Sequence, residues 1–175
     1  MGAWDELDIE LSVDVDTSGL DDLINRCGDD DIFQPAVEIA QKYKTAIDEG
    51  SKDGIHRISE KTISYQQRLL QDKNVHPYTQ GMLASSIDET EQDAGYSYLV
   101  GTRINHIYPM SLEYGADIRP VTKKALKFQT KDGDIVFAKR VNYKPRPYVE
   151  PTFDHIKEIA GEWMLRAVAK RMDAI

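Results

Sequence analysis

The chain has 175 residues, 41% hydrophobic and 30% charged, with a formal net charge of −8, a length that suits one domain with a real core. No apolar run approaches the roughly 18 residues a membrane helix needs. The acidic start Met1-Gly2-Ala3-Trp4-Asp5-Glu6 lacks the basic and apolar stretches of a secretory signal, and the single Cys27 excludes an internal disulfide framework and fits a reducing cytoplasm.

In chain order, Leu7, Ile9, Leu11, Val13 and Val15 alternate with polar residues over 6–15, which predicts a half-buried strand. Asp16-Thr17-Ser18-Gly19 breaks it, and Ser18 is placed to cap a short helix from Leu20 to Cys27. Gly28 and three aspartates then read as a loop. Pro35 suits the first turn of a second helix, on which Ala36, Val37, Ala40, Tyr43 and Ile47 share a face. Gly50 reads as a stop and Ser51 as the cap of a third helix with Ile55, Ile58, Thr62, Tyr65 and Leu69 as its inner stripe. The break is short enough for either an antiparallel pair or one long bent helix. His76-Pro77 ends the helical region.

Residues 82–91 and 95–101 predict two strands joined near Gly95. Ile107 to Tyr114 settles on no period, although Pro109 suits an early helical position. Asp132-Gly133 between 126–129 and 135–141 predicts a hairpin, with Phe128 and Phe137 as core residues of its sheet. Pro145, Pro147 and Pro151 impose an extended stretch. Thr152 is placed to cap a final helix, whose apolar face holds Phe153, Ile156, Ile159, Ala160, Trp163, Met164, Ala167 and Val168. The expected fold is α+β: an N-terminal strand and helices, a small antiparallel sheet with a β-hairpin, and a C-terminal amphipathic helix packed on the sheet. An acidic N-terminal segment, 1–34, precedes the α+β domain, 35–175.

The charge is bipolar. Residues 1–34 hold eleven acidic side chains and one basic, for −10, whereas residues 119–146 hold nine basic and two acidic, for +7. Such poles suit head-to-tail contact between copies or docking to charged partners; the plainer reading is two solvated segments kept soluble by charge. Signatures of chemistry are missing. His56, His76, His106 and His155 have no partner at a metal-ligand spacing, Cys27 has acidic neighbours that do not favour a thiolate, and no nucleophile elbow, phosphate loop or dinucleotide fingerprint occurs. No catalytic, metal or cofactor residue is assigned. The basic run, with Phe128, Phe137, Tyr143 and Tyr148 interleaved, is also of a kind that holds phosphates, so a DNA-binding accessory role for 119–146 is the alternative reading.

One constellation is more specific. Thr79-Gln80-Gly81-Met82-Leu83-Ala84-Ser85-Ser86-Ile87 is followed by Val100-Gly101-Thr102, then Ile107-Tyr108-Pro109-Met110-Ser111-Leu112-Glu113-Tyr114-Gly115, Arg119-Pro120, Ala125-Leu126-Lys127-Phe128, Val136-Phe137 and Pro145-Arg146-Pro147-Tyr148-Val149-Glu150-Pro151. In this order the segments, over roughly 79–153, resemble the tail-completion, or head–tail joining, proteins of long-tailed double-stranded-DNA bacteriophages. Gln80 is an insertion relative to that pattern, and Pro109 and Tyr148 stand where small residues and Phe are common.

The resemblance implies a non-enzymatic virion protein of the neck, assembled in the host cytoplasm without cofactor or membrane. It implies a ring of copies, a hexamer, that completes the tail and meets the head connector or head-completion protein on one side and the tail tube protein on the other. DNA would pass through without specific binding. Residues 1–34 are expected to line that channel or form the outer rim, and residues 115–124 and the hairpin tip near Gly133 to order on docking. Gly81, Gly101 and Gly115 are expected at backbone turns, Glu113 and Tyr114 as anchors before Gly115, Arg119 as a partner of Glu113, and Pro145 and Pro147 as stiffeners. Arg119, Lys123, Lys124, Lys131, Lys139, Arg140 and Arg146 are the candidate interface cations.

Overall fold

A computed structural model of the chain describes residues 7–28, 31–74, 81–104, 107–130 and 133–175. Its longest element, helix α2, runs unbroken from Gln34 to Gln71, so neither the stop at Gly50 nor the cap at Ser51 is used. The reason is the partner helix, α5 (Val149–Met172). A Cβ on Gly50 would lie 2.7 Å from the Cα of Val168, and one on Gly54 2.6 Å from Sδ of Met164. Each glycine costs the isolated helix about 1 kcal/mol of propensity, and here it lets the two backbones approach.

The two helices run antiparallel. Tyr65 stacks on His155 with ring centroids 4.2 Å apart, Lys61 Nζ lies 5.3 Å from the Trp163 ring centroid, and Arg171 near the far end reaches Glu49 at 2.9 Å and Asp53 at 2.7 Å. The ion pairs are exposed and contribute little; burial of Ile55, Ile58, Ile156 and Ala167 contributes far more. The buried stripe of α2 continues through Thr62, Gln66 and Leu70, whereas the expected Tyr65 and Leu69 are half-buried.

The central sheet has three antiparallel strands, β1 (Ile9–Ser12), β2 (Ile87–Gln92) and β3 (Ser97–Thr102), in the order β1-β3-β2. Ile9 faces Val100, and Ile87 faces Thr102. The ladder of β1 is shorter than the predicted strand. The alternation nevertheless persists: Val13 and Val15 are half-buried, and the Val13 amide donates to the Tyr96 carbonyl at 3.0 Å. Helix α1 (Ser18–Cys27) lacks a side-chain cap at Thr17; the Asp16 carboxylate instead accepts from the Ser18 amide at 2.9 Å. An ion pair between Asp21 and Lys44 ties α1 to α2.

Residues 82–91 are not one strand. Met82–Ser85 form a single helical turn, α3, because Leu83 and Ala84 are adjacent and both fully buried; a strand would send one of them to solvent. After β2 the chain reverses through Asp93, Ala94 and Gly95, with φ of +49, +51 and +91°. The turn is fastened to α2 by a hydrogen bond from the Tyr96 hydroxyl to Asp48 and by Lys52 Nζ, 4.5 Å from the Tyr96 ring centroid.

Helix α4 (Ile107–Tyr114) then leads into two small sheets. Strand β4 (Ala116–Ile118) pairs with β7 (Val141–Tyr143), and β5 (Leu126–Gln129) with β6 (Ile135–Ala138), both antiparallel. The hairpin predicted at Gly133 is present, with φ +89° at that residue. The core gathers Leu7, Ile9, Leu70, Leu83, Ala84, Ile87, Val100, Leu112, Tyr148 and Val149, so the start of α5 packs against the central sheet. The protein is α+β, with small antiparallel sheets and a C-terminal helix packed against them.

The helix crossing makes a contrast between two glycines. Gly50→Ala should destabilise the protein by about 1–3 kcal/mol through overpacking against Val168. Gly161→Ala, in α5 where an added Cβ meets nothing within 4 Å, should stabilise it by up to about 1 kcal/mol. Urea unfolding followed by circular dichroism measures both; equal effects of the same sign would rule out the close crossing.

Candidate functional site

Two of the segments that carry the resemblance, 107–115 and 145–151, meet in one knot. Helix α5 begins at Val149 behind Tyr148, which has no side-chain oxygen suited to capping nearby amides. Its first free N–H groups need another acceptor, and the Glu113 carboxylate supplies it. One oxygen accepts from the amides of Tyr148 at 2.7 Å and Val149 at 3.0 Å, the other from Glu150 at 3.0 Å. Glu113 is buried, with 7% exposure, and its charge sits at the positive end of the α5 dipole. The other end of the exchange lies in α4, where the Leu112 carbonyl accepts from the Arg146 amide at 2.6 Å.

Gly115 makes this geometry possible. Its φ of +78° ends α4 in the left-handed region, and an added Cβ would lie 2.7 Å from the Tyr143 carbonyl oxygen and 2.9 Å from Pro145 Cδ. The chain then enters β4, which pairs with β7 just before Pro145. Thr152 does not cap α5. Its buried hydroxyl donates to the Tyr148 carbonyl at 2.6 Å, one turn back. Pro151 falls in the first helical turn, where no amide is missed. Tyr148 itself is fully buried, and its hydroxyl has no hydrogen-bond partner among the described residues. Burial first, and then the nearby Glu113 charge, push that phenol well above its ordinary range.

The other expected residues fall into distinct places. Gly81 precedes α3 with φ +79°, whereas Gly101 lies within β3 and not at a turn; an added Cβ there would overlap the Asp8 carboxylate. Tyr114 is exposed. Arg119 does not reach Glu113 as expected. It and Arg140 share Asp117, at 2.9 and 2.6 Å, because Asp117 and Arg119 lie on one short stretch beside the β4–β7 pairing, away from the buried cap. The Arg140 hydrogen bond is the main reason the Asp117 carboxyl stays below its usual range, with Arg119 adding to it. Arg146 is half-buried, its guanidinium carbon 5.7 Å from the Tyr143 ring centroid. Lys123, Lys124 and Lys139 are exposed. Lys131 lies outside the described residues, as do Thr79, Gln80, His76 and His106. Phe128 and Phe137 are not core: both are exposed, because the β5–β6 ribbon does not lie against the central sheet.

One further cluster combines serine, histidine and glutamate. Ser59 hydrogen-bonds one oxygen of Glu89, and His56 Nε2 lies 3.1 Å from the other. The carboxylate stands between hydroxyl and imidazole, so the imidazole does not take the Ser59 proton directly, as a nucleophilic triad requires. His56 also stacks on Tyr98 at 5.4 Å. Among the described residues, no three His, Cys, Asp or Glu side chains are grouped to hold a metal ion, and no helix is long and apolar enough to cross a membrane. No family model, no curated protein and no solved structure matches the chain.

Sequence reasoning placed Glu113, Gly115 and the 145–151 segment in the motif but missed the bond between them. The available signal was the absence of a Ser, Thr, Asp or Asn side chain where α5 starts. Glu113→Ala should cost about 2–4 kcal/mol, since it strands buried donors that now serve a charged acceptor, and Glu113→Gln should recover only part of that. Tyr148→Phe should be neutral or stabilising by up to about 1 kcal/mol, because it removes an unpaired buried hydroxyl. Denaturant titrations check both; a clear loss of stability in the Phe variant would show that the hydroxyl has a partner.

Proposed function

We propose that this protein is a structural subunit of the head–tail junction of a long-tailed double-stranded-DNA phage. In this reading it forms a ring, a hexamer, that completes the tail and joins it to the filled head. The observation that carries the reading is the knot. Glu113 and Gly115 come from one segment of the resemblance and Arg146 and Tyr148 from another, the Glu113–Tyr148 contact spanning 35 positions, and each meets the other in a specific backbone role. Motif segments distant along the chain that meet for such a reason are more informative than their letters alone.

Surface chemistry supports the same reading. Ile107, Tyr108, Tyr114, Ile118, Val121 and Phe137 are exposed large apolar side chains on one stretch of chain, as expected of a subunit buried by neighbours. Exposed Lys123, Lys124, Lys127 and Lys139 favour the second reading, a DNA-binding accessory protein.

Deleting the gene from a phage that carries it and imaging the lysate separates the readings. Filled heads beside unattached tails, many of abnormal length, are the expected result. Intact joined virions would remove the joining role. Salt-dependent retention of the purified protein on duplex DNA would then support the second reading.

A further inference from the structure

The β5–β6 ribbon is a two-stranded sheet whose contacts are chiefly between its own strands. Its register places Leu126 opposite Ala138 and Phe128 opposite Val136 on one face, which is therefore apolar throughout. The other face sets Lys127 opposite Phe137 and Gln129 opposite Ile135. Both faces carry exposed apolar side chains: Phe128 is 42% exposed and Phe137 66%, Ile135 and Val136 are exposed as well, and Leu126 and Ala138 are half-buried. A lone two-stranded ribbon is marginal in water and gains stability only when a face is covered. Around it, Lys123, Lys124, Lys127 and Lys139 are exposed and make no ion pair among the described residues.

A second surface with exposed apolar side chains and carboxylates lies on the same chain. Helix α1, the turn Asp31–Phe33 and the first turns of α2 form one corner, held by the Asp21–Lys44 ion pair and by the Gln34 side-chain Nε2 donating to the Gly28 carbonyl at 2.8 Å. Leu23, Phe33 and Ile39 are exposed there. Asp22, Asp31 and Glu38 are exposed beside them, against Arg26 and Lys42, so the exposed carboxylates outnumber the exposed cations there by one.

We propose that the β5–β6 ribbon of one copy docks on the α1–α2 corner of the next copy. The contact is heterologous: every copy offers both halves, so the geometry generates a closed ring or a filament. This rests on the ring reading above and names its two surfaces. Complementarity favours a second copy over duplex DNA. Phosphates would engage the lysines but leave Phe128, Ile135, Val136 and Phe137 in water, whereas the corner offers carboxylates and apolar side chains together.

The test uses the full chain in a Cys27→Ser background. Copies bearing Phe137→Cys are mixed with copies bearing Phe33→Cys, oxidised at low salt and sized by light scattering and gel electrophoresis. The expected result is a disulfide-linked pair containing one of each, and a ladder when both substitutions share one chain. A triple reversal, Lys123→Glu, Lys124→Glu and Lys127→Glu, should weaken self-association by about tenfold or more. Adding Asp22→Lys, Asp31→Lys and Glu38→Lys to the same chain should restore it, which a misfolded variant would not do. Absence of the cross-link at every concentration, whether the protein is monomeric or oligomeric, overturns the docking; oligomers without it leave the ring reading standing. A ribbon reversal that abolishes DNA retention while self-association is unchanged also overturns it. A ladder from a protein whose gene deletion leaves joined virions keeps the docking and removes the neck role.

Discussion

The structure depends on the bond between the Glu113 carboxylate and the first amides of α5. A helix start buried without acceptors is costly, and α5 starts inside the core, where Tyr148 and Val149 pack with Leu7, Ile9 and Val100. Water cannot serve those amides, so a buried side chain must. The same short segment of α4 returns the exchange by accepting the Arg146 amide at the Leu112 carbonyl. Two helix ends thereby satisfy each other, which fixes where α5 begins and in which direction it leaves.

That direction sets the rest of the helical layer. From its capped start α5 runs back along α2, past His155 on Tyr65 to Val168 on Gly50. The glycines of α2 are costly for an isolated helix and favourable in the pair, because a side chain at either position would separate the backbones. The central sheet is clamped to the same helix through Tyr96, Asp48 and Lys52. Helix α2 is thus the common support of α5, α1 and the β2–β3 turn.

The β5–β6 ribbon follows different rules. Its strands pair with each other, its apolar residues face water, and its lysines have no acidic partners among the described residues. A firmly capped scaffold carrying an uncovered, charged, apolar ribbon is the division of labour expected of an assembly subunit, in which folding is complete before association and association covers what folding leaves exposed. In the proposed neck role the knot would hold the subunit's shape, and the ribbon and the α1–α2 corner would set how copies meet.

The sequence by itself determined the parts that rest on local period and punctuation. Alternation at Ile9–Val15, the helical stripe of Ile156 and Ala167, and the glycine turn between Phe128 and Val136 each correspond to an element in place, and their order yields the α+β class. It also brought Glu113, Gly115 and Pro145–Tyr148 forward as one set of positions. Only the tertiary structure decided which partner each surface meets. Gly50 reads as a stop until Val168 is laid against it. Leu83 and Ala84 read as strand until both are required inside. Phe128 and Phe137 alternate as core residues do, yet no layer among the described residues covers them. Glu113 finds the amides of α5 where Arg119 was expected, because a buried helix start demands an acceptor and an exposed arginine is already served by Asp117. Periodicity reports the shape a segment prefers; contacts between segments distant along the chain arise only when all of them are packed together.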